Sequence, residues 1–156
     1  MKTKTTITEL THDDLVELFS TALTGSSYLG ADYEESIEYD EEDCFEDILA
    51  NILLHGGCIK FNDYYSEGDV YGELPHELDE ENECTTYFVT YDDIKRGLEK
   101  AADGTFKGDD DKYRANELAF ARKAYDAFVN YDDCGFDLVY ADALMQIILF
   151  DEIIYG

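Results

Sequence analysis

Between Lys4 and Lys95 the chain contains one lysine, Lys60, and no arginine, although its first 94 residues carry 25 Asp and Glu side chains. Self-repulsion of this size opposes compaction. A chain with this feature folds only if it buries enough apolar surface to offset the repulsion. The feature therefore sets two requirements, a substantial core and a surface that carries most of the carboxylates.

The composition meets the first requirement. Hydrophobic residues make up 45% of the 156 residues, with 13 Tyr and 9 Phe, so the chain is not of the disordered acidic class. Its length predicts a single acidic domain over 1–156. The net charge is −22 over 1–94 and −5 over 95–156, so we expect the acidic face mainly from 1–94.

Hydrophobic periodicity predicts about five helices. The first begins at Thr11, a plausible N-cap, and ends before Gly25. Another starts at Thr90, again with acidic residues in its first turn. The remaining predicted helices cover 43–55, 111–130 and 137–154. The last is apolar almost all round, so we expect it at the centre of the core.

Strand signals lie between the second and third helices. CIKF at 58–61 and TTYFV at 85–89 are typical of strands, and 69–72 is a third candidate. Residues 26–42 are predicted to form a loop, and 73–83 to be irregular. The sequence thus predicts an α+β fold with a small antiparallel sheet of about three strands.

No pattern indicates catalysis, a metal or a cofactor. Abundant carboxylates provide pairs by chance, so glycosidase-like chemistry gains no support. The loops 62–69 and 103–111 lack the EF-hand order, and His55 near Cys58 matches no nucleophile motif. There is no phosphate-binding glycine loop. We therefore expect a protein that is not an enzyme and needs no cofactor.

The four cysteines form no CxxC motif, and the N-terminus MKTKTTITEL lacks the apolar segment of a signal peptide. These features predict free thiols in a reducing cytoplasm. The longest apolar run, near 138–155, contains three acidic residues, so we expect no membrane span.

The net charge of −27 argues against direct nucleic-acid binding, because phosphate contacts dominate that affinity. The same charge attracts basic protein surfaces. The C-terminal helices do carry cations, which we interpret as neutralising their acidic neighbours: Lys95, Arg96, Lys100, Lys112, Arg114, Arg122 and Lys123.

The densest acidic stretch is ADYEESIEYDEEDCFED at 31–47, where ten of seventeen residues are Asp or Glu. A solvated loop or adaptation to high salt would account for it, but the nearly balanced C-terminal part argues against a surface adapted throughout to salt. Duplex DNA presents one negative charge per roughly 1.7 Å of axis. Fixed carboxylates can present a comparable field, and they accept bidentate bonds from arginine.

We therefore predict a partner-binding surface in two acidic clusters, with tyrosines available to stack on arginine. The first cluster comprises Asp32, Tyr33, Glu34, Glu35, Glu38, Tyr39, Asp40, Glu41, Glu42 and Asp43. The second comprises Glu73, Glu77, Asp79, Glu80, Glu81 and Glu83. If the fold brings the two together, they form one continuous face.

In size, charge, lack of a catalytic motif and its pattern of tyrosines among acids, the chain resembles the anti-CRISPR and anti-restriction proteins of phages and mobile elements that act as DNA mimics. No residue roles can be carried over, because these inhibitors share no sequence signature. The resemblance implies host-defence evasion by a non-enzymatic inhibitor that occupies the DNA- or PAM-reading surface of a nuclease. A Cas9-type target is favoured slightly over a restriction enzyme.

Two alternatives stay open. One is an acidic chaperone or adaptor for a basic protein, and the other is a carboxylate-dependent enzyme of unrecognised type. The sequence leaves several properties of an inhibitor undetermined: its target, its stoichiometry, its oligomeric state, whether it mimics DNA or RNA, and whether it acts competitively or allosterically.

Overall fold

The computed structural model of the chain describes residues 7, 9–34, 44–66, 68–107, 111–133 and 135–155. The helices and strands, in chain order, are α1 (His12–Leu23), β1 (Leu29–Asp32), α2 (Phe45–Leu54), β2 (Cys58–Asp63), β3 (His76–Asp79), β4 (Cys84–Thr90), α3 (Tyr91–Asp103), α4 (Asp111–Val129) and α5 (Leu138–Phe150). A 3₁₀ turn at Tyr131–Asp133 separates α4 from α5. Within these residues, five α-helices and an antiparallel sheet confirm the α+β prediction.

Two helices begin where the sequence predicts, for a local reason. The Thr11 side chain accepts a hydrogen bond from the Asp14 backbone N–H, and the Asp14 side chain accepts one from the Thr11 N–H. Thr90 and Asp93 form the same reciprocal pair at the start of α3. Each capping box satisfies two backbone donors that would otherwise lack a partner, so each helix start is specified by four neighbouring residues.

The sheet has four strands rather than about three, in the order β1-β2-β4-β3. β1 lies in the segment predicted as a loop, and β3 lies in 73–83, predicted as irregular. Residues 69–72, predicted as a strand, are not one. The β1 sequence LGAD and the β3 sequence HELD have weak strand propensity. β1 and β3 form because they pair with β2 and β4, and no pattern in their own residues predicts this pairing.

One face of the sheet carries the core. Ile59 and Phe61 of β2 lie beside Val89 and Tyr87 of β4, and all four side chains are fully buried. The Phe19 ring of α1 packs against Phe61, with 5.8 Å between ring centroids. The helices α1, α2 and α3 contact the sheet through β1, β2 and β4 respectively. We call this side the helix side.

As predicted from its apolar sequence, α5 lies in the core, where it packs against α1, α3 and α4. The closest approach is between α5 and α3 at Gly97. A Cβ atom placed on Gly97 would lie 2.6 Å from the Ile148 Cα, far inside van der Waals contact with backbone. The crossing of the two helices therefore requires glycine at this position.

Substitution of Gly97 shows which effect on stability is larger, the gain in helix propensity or the overpacking against α5. Gly97→Ala should gain about 1 kcal/mol from propensity, yet overpacking against Ile148 should reverse the sign. We expect the free energy of unfolding, measured by urea denaturation, to fall by about 1–3 kcal/mol. Gly135→Ala controls for the added methyl group alone, because Gly135 lies outside the helices and nothing lies within 4 Å of that group. Equal stability changes in the two variants would contradict the packing account.

Candidate partner-binding surface

The structure describes nine of the residues predicted to contact a partner. Those outside the described residues are Glu35, Glu38, Tyr39, Asp40, Glu41, Glu42 and Asp43. Those described are Asp32, Tyr33, Glu34, Glu73, Glu77, Asp79, Glu80, Glu81 and Glu83. Their role as contact residues stays a prediction, and their placement in the fold is given below.

The first described group lies at the end of β1, the edge strand next to β2. Asp32 is exposed and lies opposite Lys60 in the register of the two strands. The Lys60 Nζ forms an ion pair with the Glu34 Oε1 at 3.0 Å. The Tyr33 ring packs near Phe45 at the start of α2, with 6.0 Å between ring centroids. Tyr33 therefore contributes to packing as well as to the surface.

The second group lies on β3, the opposite edge strand, and on the turn that follows it. Asp79 accepts hydrogen bonds from the Asn82 backbone N–H at 3.1 Å and from the Asn82 side chain at 2.7 Å. These bonds hold the pKa of the Asp79 carboxyl below its usual value. The turn ends at Glu83, whose φ of 53° is left-handed. Asp79 thus fixes a turn that presents exposed carboxylates at Glu80, Glu81 and Glu83.

Asp32 of the first group and Glu77 and Asp79 of the second share one face of the sheet, opposite the helix side, which we call the outer face. Register places Asp32 in a row with Lys60 and Phe88, and it places Glu77 in a row with Thr86 and Asn62. Side chains alternate between faces along a strand. Because Lys60 and Asn62 alternate with buried Ile59 and Phe61, both rows point away from the helices.

The electrostatic environment of Lys60 follows from this placement. The pKa of Lys60 is raised chiefly by the hydrogen bond to Glu34, and the charges of Asp32 and Glu77 raise it further. The Lys60 ammonium group therefore interacts electrostatically with carboxylates from both edges of the sheet. The Lys60 Nζ also lies 6.0 Å from the centroid of the Phe88 ring. The centre of the outer face is thus a lysine stem beside a partly exposed aromatic ring.

Glu73 does not belong to this face. It lines a cleft of about 170 Å³ on the helix side, together with Arg96 and Lys100 of α3 and Asp151 after α5. The cleft's cations are already paired, since Arg96 bonds Asp93 at 2.7 Å and Lys100 bonds Asp151 at 3.0 Å. Glu73 is therefore separated from the other described members of the second cluster.

Tyr28, from the acidic part of the chain, and Tyr155, which follows α5, serve the interior instead of the surface. Tyr28 is buried, and its hydroxyl donates to the Asp142 Oδ1. The Tyr155 hydroxyl donates to the Asp63 Oδ2 at 2.8 Å, and the Tyr28 and Tyr155 rings are 4.8 Å apart. Tyr64 is different, because its half-exposed ring lies against Gly30 of β1. Among these tyrosines, Tyr64 is available at the outer face.

Sequence reasoning missed Gln146, which organises the C-terminal end of the chain. The side chain is 1% exposed. Its Oε1 accepts hydrogen bonds from the backbone N–H groups of Ile154 and Tyr155, at 2.7 and 2.8 Å. Its Nε2 donates to the Asp142 Oδ2 and to the Tyr155 carbonyl, both at 2.9 Å. The available signal was a single glutamine in the otherwise apolar run 143–150 of α5, because a buried amide must find partners.

Asp63 is the one carboxylate that burial and geometry single out among the described residues. It is 0% exposed, and desolvation raises its pKa although hydrogen bonds from Tyr155 and Tyr65 oppose that shift. A raised pKa is typical of catalytic carboxylates. Tyr155 covers this one, however, and no substrate can reach it in this arrangement.

The pair His55 and Cys58 is not arranged as a base and a nucleophile. The His55 Nδ1 lies 2.7 Å from the Asn51 carbonyl of its own helix. The Cys58 Sγ donates to the Ile59 carbonyl, and burial raises the pKa of the thiol. Among the described residues, no group of three or more His, Cys, Asp or Glu side chains is placed to hold a metal ion.

The burial of Asp63 has a measurable pH signature. Because the folded protein holds this proton more tightly than the unfolded chain, the wild type loses stability as pH rises through the folded pKa. Asp63→Asn removes the titration. We therefore expect the unfolding free energy of the variant, relative to wild type, to increase between about pH 4 and the folded pKa. Urea denaturation across that range measures the difference.

Asp79→Asn is the matched control and carries the opposite sign. The pKa of Asp79 is lowered by folding, so the wild type gains stability relative to this variant as pH rises toward about 4. A pH-independent difference for Asp63→Asn would show that its carboxyl is not desolvated in the folded protein.

No helix among the described residues combines the length and apolarity that crossing a bilayer requires.

No protein-family model matches the chain, and the comparisons with curated proteins and with solved structures find no match.

Proposed function

We propose that this protein is a non-enzymatic inhibitor that occupies the nucleic-acid-binding surface of a basic protein. A nuclease of bacterial defence, with a Cas9-type enzyme ahead of a restriction enzyme, is the proposed target, and the bacterial cytoplasm is the proposed compartment. The observation that carries the proposal is the outer face, on which acidic side chains from both edges of the sheet point the same way.

The spacing of this face suits a partner that binds duplex DNA. Three steps of about 4.8 Å place the two edge strands about 14 Å apart, and an offset of two residues along the strands places Asp32 and Glu77 about 16 Å from each other. The major groove of B-DNA is about 12 Å wide. Arginines that straddle a groove to reach phosphates or guanine edges would meet carboxylates at a similar separation.

Rigidity adds to this argument. Asp32 and Glu77 belong to strands whose backbones are paired in the sheet, and Asp79 is fixed by its bonds to Asn82. Carboxylates on a fixed backbone lose less freedom when a partner binds than those on a flexible segment, so more of the charge attraction appears as affinity. On the outer face, Lys60 is the basic residue that the described strands contribute, and it opposes the same attraction.

Removal of that opposing charge should strengthen binding. Lys60→Met keeps the aliphatic stem beside Phe88 and leaves Glu34 unpaired, so we expect affinity for a Cas9-type nuclease to rise about two- to fivefold. Lys123→Met is the control, because it makes the same charge change on an exposed site of α4. Calorimetric titration at fixed salt gives both constants, and an equal rise in both would assign the effect to net charge alone.

The function itself is tested by DNA cleavage with a guide-loaded Cas9-type nuclease at about 150 mM salt, near physiological ionic strength. We expect stoichiometric inhibition that excess target DNA relieves. Glu77→Lys should weaken inhibition about tenfold or more, because it places a cation against a cationic partner. Asp126→Lys makes the same charge change on an exposed site of α4 and should change inhibition less than about threefold.

The opposing outcomes are distinct. Inhibition that DNA cannot relieve, and that Glu77→Lys leaves intact, would place the contact elsewhere and contradict mimicry by this face. Recovery from a bacterial lysate of many basic proteins with similar affinity would favour an acidic chaperone and overturn the proposal. A catalytic turnover on any substrate would overturn the non-enzymatic assignment.

A further inference from the structure

The strand β3 forms an open edge of the sheet. It pairs with β4 on one side, and no strand of the described residues pairs with its other side. All of β3 except Asp79 is exposed. The opposite edge, β1, is less open, because the Leu29 N–H donates a hydrogen bond to the Ser26 hydroxyl oxygen at 3.2 Å, and α1 contacts the strand.

The register shows which backbone groups of β3 face outward. The Phe88 N–H donates to the Pro75 carbonyl at 2.9 Å, so residues 75 and 88 form a hydrogen-bonded pair. In an antiparallel ladder such pairs alternate along the strand. Glu77 and Asp79 therefore bond β4, whereas the N–H and C=O groups of His76 and Leu78 point away from the sheet.

The side chains along this edge have a definite pattern. Glu77 and Asp79 lie on the outer face, while His76 and Leu78 lie on the helix side. The Leu78 side chain is 54% exposed. No Lys or Arg of the described residues forms an ion pair with Glu77 or Asp79. The edge thus alternates two acidic side chains that have no ion pair, Glu77 and Asp79, with His76 and the exposed Leu78, along a backbone edge that no described strand pairs.

We propose that β3 is a docking strand, and that an extended segment of a basic partner adds to it as a fifth, antiparallel strand. The segment would alternate basic residues, set beside Glu77 and Asp79, with apolar residues set beside Leu78. Its backbone would bond the outward groups of His76 and Leu78. The inference deepens the proposed function by naming how a basic partner is held, and it rests on that function for the partner's charge.

Charge complementarity decides the occupant. A second copy of this chain pairing through β3 would place Glu77 and Asp79 beside their own equivalents, and like charges on neighbouring strands destabilise a sheet. The net charge of −27 opposes self-association further. A strand bearing Lys or Arg at the alternate positions meets the opposite charge instead.

The test uses a short capped peptide of alternating Lys and Val, with binding measured by fluorescence anisotropy. In antiparallel addition, the valines lie opposite His76 and Leu78, and their backbone N–H groups bond this edge. A peptide N-methylated at every valine should therefore bind about tenfold more weakly. A peptide N-methylated at every lysine has the same composition and charge and should bind within about twofold of the parent peptide.

Two further readouts locate the contact. Hydrogen exchange at the backbone amides of His76 and Leu78 should slow when the parent peptide binds. Leu78→Pro should weaken binding about tenfold or more, since it removes an outward N–H while leaving the hydrogen bonds between β3 and β4 in place. Leu78→Ala keeps the N–H and should retain the preference for the lysine-methylated peptide over the valine-methylated one.

Equal affinity for the two methylated peptides would show that attraction is electrostatic only and would overturn strand addition. The reverse preference would indicate a parallel strand and would also contradict the proposal. The assay contains no nuclease, so its failure leaves the proposed inhibition standing. Absence of nuclease inhibition, in turn, leaves a positive peptide result standing.

Discussion

Burial of Ile59, Phe61, Tyr87 and Val89 beneath the helices is the constraint on which the rest of the surface depends. Side chains alternate along a strand, so once these four point inward their neighbours must point outward. Lys60, Asn62, Thr86 and Phe88 are directed to the outer face for that reason alone. The edge strands follow the same register and add their acidic residues to the same side.

Because cations are scarce in this chain, neutral hydrogen-bond donors stabilise the carboxylates that lie near the core. Asp63 and Asp142 lie near the core, yet the described residues form no ion pair with either of them. Their hydrogen-bond donors are the side chains of Tyr155, Tyr28 and Gln146 and the Tyr65 backbone N–H, all of them neutral. A hydrogen bond to a carboxylate is among the stronger kinds in proteins. The tyrosines that accompany acids in the sequence thus have an internal use, beside the surface use that the sequence suggested.

How far the sequence was informative depends on the range of the interaction. The starts of α1 and α3 could be predicted because Thr11 and Thr90 each act within three residues. The central position of α5 could be predicted because apolar residues occupy nearly all sides of the helix. The strands β1 and β3 could not be predicted. LGAD is a strand only because it pairs with residues 28 or more positions away, and HELD only because it pairs with β4 across a turn. For the same reason, the open edge at β3 could not be predicted from the sequence, since it depends on the pairing of β3 with β4.

The sequence by itself determined the amount of acidic charge, its concentration in 1–94, the helix starts and the mixed α+β class. These depend on composition and on contacts between near neighbours. Only the tertiary structure decided which carboxylates share a face. It set Asp32 and Glu77 on one side of the sheet, sent Glu73 to the helix side, and enclosed Asp63 beneath Tyr155. The direction of a side chain follows from strand pairing and burial, which join residues far apart in the chain.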